Sequence, residues 1–336
     1  MSLATSMWDG HVESVSELAG RLNRLHAVDD DGQPLPHAGV LNLVAFARDE
    51  NGEDIENFIE EMTTHQPSRA IIVKREWSGE GIDAHLETRA HVLGGSGRAS
   101  KVELIRITLR GESTGGAASA VRALVRSDLP VFVWWPDAPD ISDPVLESVL
   151  EDADRLISES THHATPAVAI GHLVHAMSAG PALTDLAWAE LTPWRQLMNQ
   201  MMDAGNIERL QKGGSAEIWY PGETPTVQAL LMGGWLRDAL GSRLHIEFIQ
   251  RLGEFREGIA AVRLESLSGR QMTVERYPDR DTAAVVMSAP MEAAHRRVLP
   301  LPCRKRSELL AGELELQRPD RPFERALPIA LELSTR

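Results

Sequence analysis

The sequence predicts an α/β protein: an N-terminal mainly parallel open sheet with flanking helices, a helical middle segment, and a smaller C-terminal αβ domain with an antiparallel meander. Three observations predict it. Short apolar, β-branched runs alternate with helix-patterned segments through the first half, as in a parallel sheet covered on both faces. Helical patterns opened by proline fill the middle. Closely spaced strand-like runs occupy the last third, a spacing that suits antiparallel neighbours. At 336 residues the chain exceeds one comfortable core. Domains are therefore expected over 1–165 and 211–336, with a helical connector layer over 166–210.

Taken in order, Val12, Val15, Leu18, Leu22 and Leu25 recur at three- and four-residue spacing, which predicts an amphipathic helix over 11–27. The stretch from Asp29 to Pro34 breaks it. Val40–Phe46 is a compact apolar run, as a buried strand would be, and Asp54–Met62 is helical in pattern. Arg69–Lys74 predicts a second strand rich in β-branched residues. Two more strands, Ile82–Val92 and Lys101–Leu109, flank the glycine-rich 94–97 segment and suit a hairpin. A helix over Ala117–Arg126 leads into a strand at Val131–Trp135, which Pro136 ends because it lacks an N–H. Asp143 and Pro144 open the next helix, and 154–157 is a short strand.

Three Thr-Pro pairs, at 165–166, 192–193 and 224–225, each precede a helix-like segment. The threonine hydroxyl is expected to accept from a free backbone N–H while proline takes the first helical position. Gly205 is placed to close the second of these helices. A strand at Ala216–Tyr220, a helix over Pro225–Leu240 closed by Gly241, strands near 243–250, 258–267, 271–277 and 282–288, and a helix over 305–316 complete the chain. Gly233 and Gly234 inside a helix cost roughly 1 kcal/mol each relative to alanine, so close backbone packing is expected there.

Composition narrows the function. Hydrophobic content of 43% and charged content of 25% are those of an ordinary globular protein. A net charge of −15 argues against a protein that must neutralise nucleic-acid phosphates. The single cysteine, Cys303, excludes an intrachain disulfide and a multi-cysteine metal site. Its basic neighbours Arg304, Lys305 and Arg306 are of the kind that lower a thiol pKa. The first ten residues have neither a basic nor an apolar leader region, and no apolar run approaches the roughly 20 residues needed to span a bilayer. A cytoplasmic protein is expected.

No constellation announces catalysis. Gly94, Gly95 and Gly97 precede a strand rather than a helix, and no Gly-Lys-Ser/Thr accompanies them, so a phosphate loop is not expected. Gly115 and Gly116 do precede a helix but read as a flexible turn. His172 and His175 lie one helical turn apart near His162 and His163, without an acidic third ligand at a ligating spacing. No Gly-x-Ser-x-Gly elbow is present. No catalytic residue, cofactor site or metal site is assigned.

The conspicuous residues are tryptophans. Four of the eight fall in Asp128–Asp137 and Asp185–Asp203. Large indoles anchor either cores or partner contacts. Trp134, Trp135, Trp188, Trp194 and the adjacent Arg195 are the candidates for a partner-binding surface, with packing between layers as the competing reading.

These two tracts, with their Trp-Trp-Pro and Leu-Thr-Pro-Trp-Arg segments, resemble the glucose-6-phosphate dehydrogenase assembly protein family, OpcA. Leu41–Phe46, His65–Val73 and Ile107–Arg110 are similar to that family too, and Leu299–Ala311 more loosely. The resemblance implies a non-catalytic partner that promotes assembly and activity of glucose-6-phosphate dehydrogenase in the oxidative pentose phosphate pathway, with no cofactor of its own. The redox response through cysteines that cyanobacterial members imply sits poorly with a lone Cys303. Two other readings stay open on the same scaffold: a sugar-phosphate or nucleotide-binding enzyme, and a metabolite sensor.

Overall fold

An eight-stranded and a six-stranded sheet carry the fold, so the expected α/β class holds. The computed structural model describes residues 6–25, 39–47, 55, 57–59, 68–92, 99–202, 204–251, 258–278, 281–316 and 318–335. The first sheet draws on β1 (Ser6–Val12), β2 (Asn42–Ala47), β3 (Arg69–Glu76), β4 (Gly81–Val92), β5 (Ala99–Arg110), β6 (Val131–Trp135), β7 (Arg155–Ser158) and β8 (Ala182–Asp185). Helices α1 (Val15–Leu22), α2 (Ala117–Leu124) and α3 (Pro144–Leu150) alternate with them.

The strand order is β1-β4-β5-β3-β2-β6-β7-β8. Parallel pairing joins β2 to β3, β2 to β6 and β3 to β5. On the other side β4 pairs antiparallel with both β5 and β1, so the sheet is mixed. Every residue of β2 and β6 is buried, as central strands covered on both faces must be. Polar residues lock the register. Arg69 lies opposite Glu103, and its Nε donates to Oε2 at 2.6 Å while Nη1 donates to the Leu124 carbonyl at 2.7 Å. The buried Asn42 donates to the carbonyls of Arg126 and Leu129 at 3.0 and 3.1 Å and accepts from the Arg126 N–H at 2.8 Å.

The helix expected over 11–27 is shorter and follows a strand. Ser14 caps α1 by accepting from the Glu17 N–H at 3.3 Å, and residues 6–12 pair with β4 instead. Exposure alternates along β1, a two-residue period that the helical spacing of Val12, Val15 and Leu18 obscures. Of the helix expected at 54–62, Ile55, Phe58 and Ile59 are helical and buried and Asn57 is helical and exposed, while 54, 56 and 60–62 lie outside the described residues. The tip at 93–98 also lies outside them, but the register from Gly81 opposite Arg110 to Val92 opposite Ala99 is that of a hairpin.

The chain continues through α4 (Pro166–Met177), α5 (Leu186–Glu190), α6 (Thr192–Met201), α7 (Ala204–Gln211), β9 (Gly214–Tyr220), α8 (Val227–Leu240) and β10 (Leu244–Gln250). Then come β11 (Ala261–Ser266), β12 (Gln271–Arg276), β13 (Thr282–Ser288), β14 (His295–Pro300), α9 (Arg306–Leu314) and α10 (Arg321–Ser334). The six strands run β10-β9-β11-β12-β13-β14; β11 to β14 form the expected antiparallel meander, whereas β10, expected to begin it, pairs in parallel with β9 at the sheet edge, the pairing that the helical crossover α8 between them allows.

Capping differs from expectation. Thr165 precedes α4 without a side-chain cap bond, Thr192 is itself the first residue of α6, and Thr226 rather than Thr224 caps α8 by accepting from the Ala229 N–H at 3.1 Å. Gly205 lies inside α7, so Met202 ends α6 instead. Gly241 does close α8, at φ 94°. The glycine pair within α8 packs as its cost requires. A Cβ on Gly234 would strike the Ala326 carbonyl oxygen of α10, and one on Gly233 would lie 3.1 Å from both Leu333 Cδ1 and Phe248 Cζ.

By internal contacts the chain forms two compact units. One comprises Met1–Pro136, Asp140–Ile157 and Ala179–Ala182; the other comprises Asp137–Pro139, Ser158–Ser178 and Leu183–Arg336. Among the described residues, no helix is long and apolar enough to cross a membrane.

Candidate functional site

Trp134 and Trp135 are placed by β6 inside the first unit. Successive strand residues face opposite sides, and both sides are covered. Trp134 is fully buried, its ring 4.9 Å from that of Phe58. Trp135 lies 5.1 Å from Phe46 with the Arg75 guanidinium 5.9 Å from its ring. Arg75 in turn grips Asp143, the cap of α3, through two hydrogen bonds of 3.2 and 2.6 Å. Burial raises the Asp143 carboxyl, but Arg75 and the amides of Val145 and Leu146 outweigh it and hold the group below its ordinary value.

In the second unit, α5, α6 and α10 fix Trp188 and Arg195 together. The Trp188 Nε1–H donates to Asp320 Oδ2 at 2.7 Å, and its ring lies 5.3 Å from Phe323. The Arg195 guanidinium stacks 3.5 Å from the Trp188 ring and donates to the Trp188 carbonyl at 3.1 Å and Thr192 Oγ1 at 3.0 Å. Burial lowers the Arg195 pKa to about 10 against the pull of Asp320 and Glu313, so the side chain stays cationic at neutral pH. Trp194, also buried, meets a different partner, Arg276, 5.4 Å from its ring.

Trp194 and Arg276 line a cleft. A cavity of about 480 Å³ is bounded by Trp194, Arg276, Tyr277, Cys303 and Arg304. A second of about 400 Å³, lined by Glu159, His163 and Arg306, shares Glu190, Gln228, Gly258 and Leu309 with the first. The carboxylates here are engaged by the chain itself. Glu190 accepts from Gln228 Nε2 at 2.7 Å, Asp281 accepts from the Cys303 N–H at 2.8 Å, and Glu159 holds Arg306 Nε at 2.9 Å with His162 at 3.2 Å. Among the described residues Arg276 and Arg304 have no carboxylate partner.

A buried polar cluster adjoins α5 in sequence. Asp185 accepts from Ser158 Oγ at 2.7 Å, Ser160 Oγ at 2.8 Å, and the amides of Ser160 and Ala187 at 3.0 and 2.9 Å. Burial pushes its pKa up to about 6, against these four donors. The neighbouring Thr184 Oγ1 donates to Glu313 Oε2 at 2.7 Å. The histidine rings of 163 and 172 meet edge-on at 5.7 Å. Among the described residues, no three His, Cys, Asp or Glu side chains are grouped to hold a metal.

Arg276 and Arg304 carried no local signal as a pair, because the cleft joins segments far apart in sequence. Trp77 is not among the sequence-derived candidates. It is 78% exposed in the turn between β3 and β4. The hint was an indole followed by Ser78, Gly79, Glu80 and Gly81, a turn sequence that offers it no core position.

A family model described as the glucose-6-phosphate dehydrogenase subunit N-terminal domain matches residues 59–175, and one described as the C-terminal domain matches residues 181–327. The putative OxPP cycle protein OpcA of Synechocystis sp. is 27% identical over 147 residues, covering 40% of this chain and 29% of that protein. Its counterpart from Nostoc punctiforme is 30% identical over 140 residues, with the same shares. The chain thus spans less than a third of the length of these two curated relatives. Among solved structures, KijD10, a 3-ketoreductase from Actinomadura kijaniata, superposes over 88% of this chain and 96% of its own at 9% identity and a TM-score of 0.49. UDP-N-acetylglucosamine 3-dehydrogenase GnnA from Acidithiobacillus ferrooxidans does so over 88% and 97%, at 11% and 0.45. With two consecutive models accounting for most of its length, the chain belongs to the OpcA family of glucose-6-phosphate dehydrogenase assembly proteins.

Proposed function

We propose that this chain is a non-catalytic assembly partner of glucose-6-phosphate dehydrogenase, acting in the cytoplasm for the oxidative pentose phosphate cycle. The observation that carries the reading is the tandem match of both dehydrogenase-subunit domains, over 59–175 and 181–327. The cleft supports it, since Glu159, Glu190 and Asp281 are each tied to a donor of the chain rather than poised as free acid or base.

In this reading the chain binds the dehydrogenase and favours its active state. It does so only to the extent that it binds that state more tightly; a tenfold preference corresponds to about 1.4 kcal/mol. Trp77 is the exposed indole best suited to anchor the contact. Trp134, Trp135, Trp188, Trp194 and Arg195 contribute from beneath, by holding the surface segments around them in shape.

The test is steady-state kinetics of the cognate dehydrogenase titrated with this protein. A saturable rise in kcat or fall in KM for glucose 6-phosphate is expected, with no turnover by this chain alone. Turnover by the chain alone, or no effect and no co-elution at micromolar excess, sinks the reading.

A further inference from the structure

The geometry points to a binding site for a small oxyanion-bearing metabolite, a phosphate ester or a carboxylate, in the cleft lined by Arg276, Arg304 and Trp194. The inference stands apart from the dehydrogenase partnership and is tested on the purified chain alone.

Size is the first support. A cavity of about 480 Å³ falls within the roughly 300–1,000 Å³ typical of small-ligand sites. Charge is the second. The net charge is −15, and several arginines of the same unit are matched to carboxylates: Arg263 to Glu265 at 3.3 Å, Arg251 to Glu275 at 2.8 Å, and Arg306 to Glu159. Arg276 and Arg304 are not matched among the described residues, yet both line this one cavity. The acids beside them, Glu190 and Asp281, are occupied by Gln228 and by the Cys303 amide.

Geometry is the third support. Arg276 lies 5.4 Å from the ring of the buried Trp194. Such a contact satisfies the face of a guanidinium but leaves the N–H groups along its edge, which suit bidentate binding of a carboxylate or phosphate. Arg304 is exposed and supplies a second cation at the mouth. Two family-like segments meet here: Trp194 from the Leu-Thr-Pro-Trp-Arg tract and Cys303-Arg304 from the Leu299–Ala311 tract.

Cys303 provides the measurement, being exposed, in the cleft lining and the sole cysteine of the sequence. Its alkylation by iodoacetamide is timed in sodium chloride and, at matched ionic strength, in inorganic phosphate, a hexose 6-phosphate or citrate. Saturable protection by the hexose phosphate identifies a phosphate-ester site, and by citrate a carboxylate site; either supports the inference. The midpoint of protection should rise about tenfold or more in Arg304→Gln and Arg276→Met, the loss of a charge-assisted hydrogen bond. If Arg276→Met does not fold, the exposed Arg304→Gln decides alone. Equal rates in every anion, protection by inorganic phosphate alone, or protection undiminished in Arg304→Gln overturns the inference.

Discussion

Asp185 shows how one buried carboxyl sets a pH dependence. Its pKa rises from an ordinary 3.8 to about 6 in the fold, because burial outweighs four hydrogen-bond donors. The native state therefore holds the proton more tightly than the unfolded chain. Stability from this group is full below about pH 4 and is lost as pH rises through about 6, on the order of 3 kcal/mol in all. Asp185→Asn cannot titrate, so its urea midpoint should lack this decline between those pH values. It should also be less stable at pH 5 by about 1–3 kcal/mol, since its amide NH₂, unlike the hydroxyl oxygen of the protonated carboxyl, cannot accept from the backbone N–H that faces it. An unchanged pH slope in the variant rejects the assignment. Tryptophans separate by role in the same way. Trp188→Phe keeps an aromatic ring but strips Asp320 of its 2.7 Å donor and leaves part of the buried indole's volume unfilled, and should cost at least about 1–3 kcal/mol in denaturant unfolding. Trp77→Ala should leave stability within about 0.5 kcal/mol and weaken dehydrogenase binding, read by titration calorimetry. The sequence marks indoles as informative but does not distinguish these two. Trp188 is buried by Phe323 and capped by Asp320, more than 130 positions away, and no local pattern encodes that.

Helices α4, α8 and α10 give paired predictions at the scale of elements. Gly234→Ala in α8 gains helix propensity but drives a methyl into the Ala326 carbonyl, so a net loss of about 1–3 kcal/mol is expected. Gly171→Ala in α4 meets only Leu331 Cδ1, at 4.0 Å, and should gain up to about 1 kcal/mol. Thermal unfolding of the two variants checks both signs. Legibility follows burial. The fully buried β2 and β6 read directly from apolar runs, as does β3. The edge strand β14, exposed at nearly every residue and beginning His295-Arg296-Arg297, offers no alternation to read. The four-residue β8 is too short for a period. Pro322 and Pro328 mask α10 in the sequence, although Asp320 caps it by accepting from the Phe323 N–H at 3.1 Å. Pro328 removes one helical hydrogen bond, and apolar burial at Phe323, Leu327 and Leu333 carries the helix through it. The cleft was the least legible part, since its arginines come from β12 and from the loop before α9.

At the scale of the whole molecule, the chain contributes interleaved segments to two compact units, residues 158–178 to one and 179–182 to the other. Two cores predict that calorimetric unfolding departs from a single two-state transition. Gly234→Ala should lower only the transition of the second unit. A single transition that shifts as a whole would show that the units unfold as one. The excess of acidic residues, 49 against 34 basic, also predicts that self-association is weakest at low salt, where like charges are least screened. Sedimentation across an ionic-strength series measures this, and association that strengthens at low salt runs against it.

The glycine-seamed contact of α8 with α10 has a consequence for biosynthesis. α8 is buried at eleven of its fourteen positions, apolar on nearly every side. Its covering helix begins only at Arg321. At about 5–20 residues per second, a ribosome needs on the order of ten seconds to travel from one to the end of the other. Through that interval the nascent chain carries a sticky, unsheltered rod. A chaperone that holds emerging apolar segments is therefore expected to engage this protein between Leu240 and Arg321, and to let go when α10 docks.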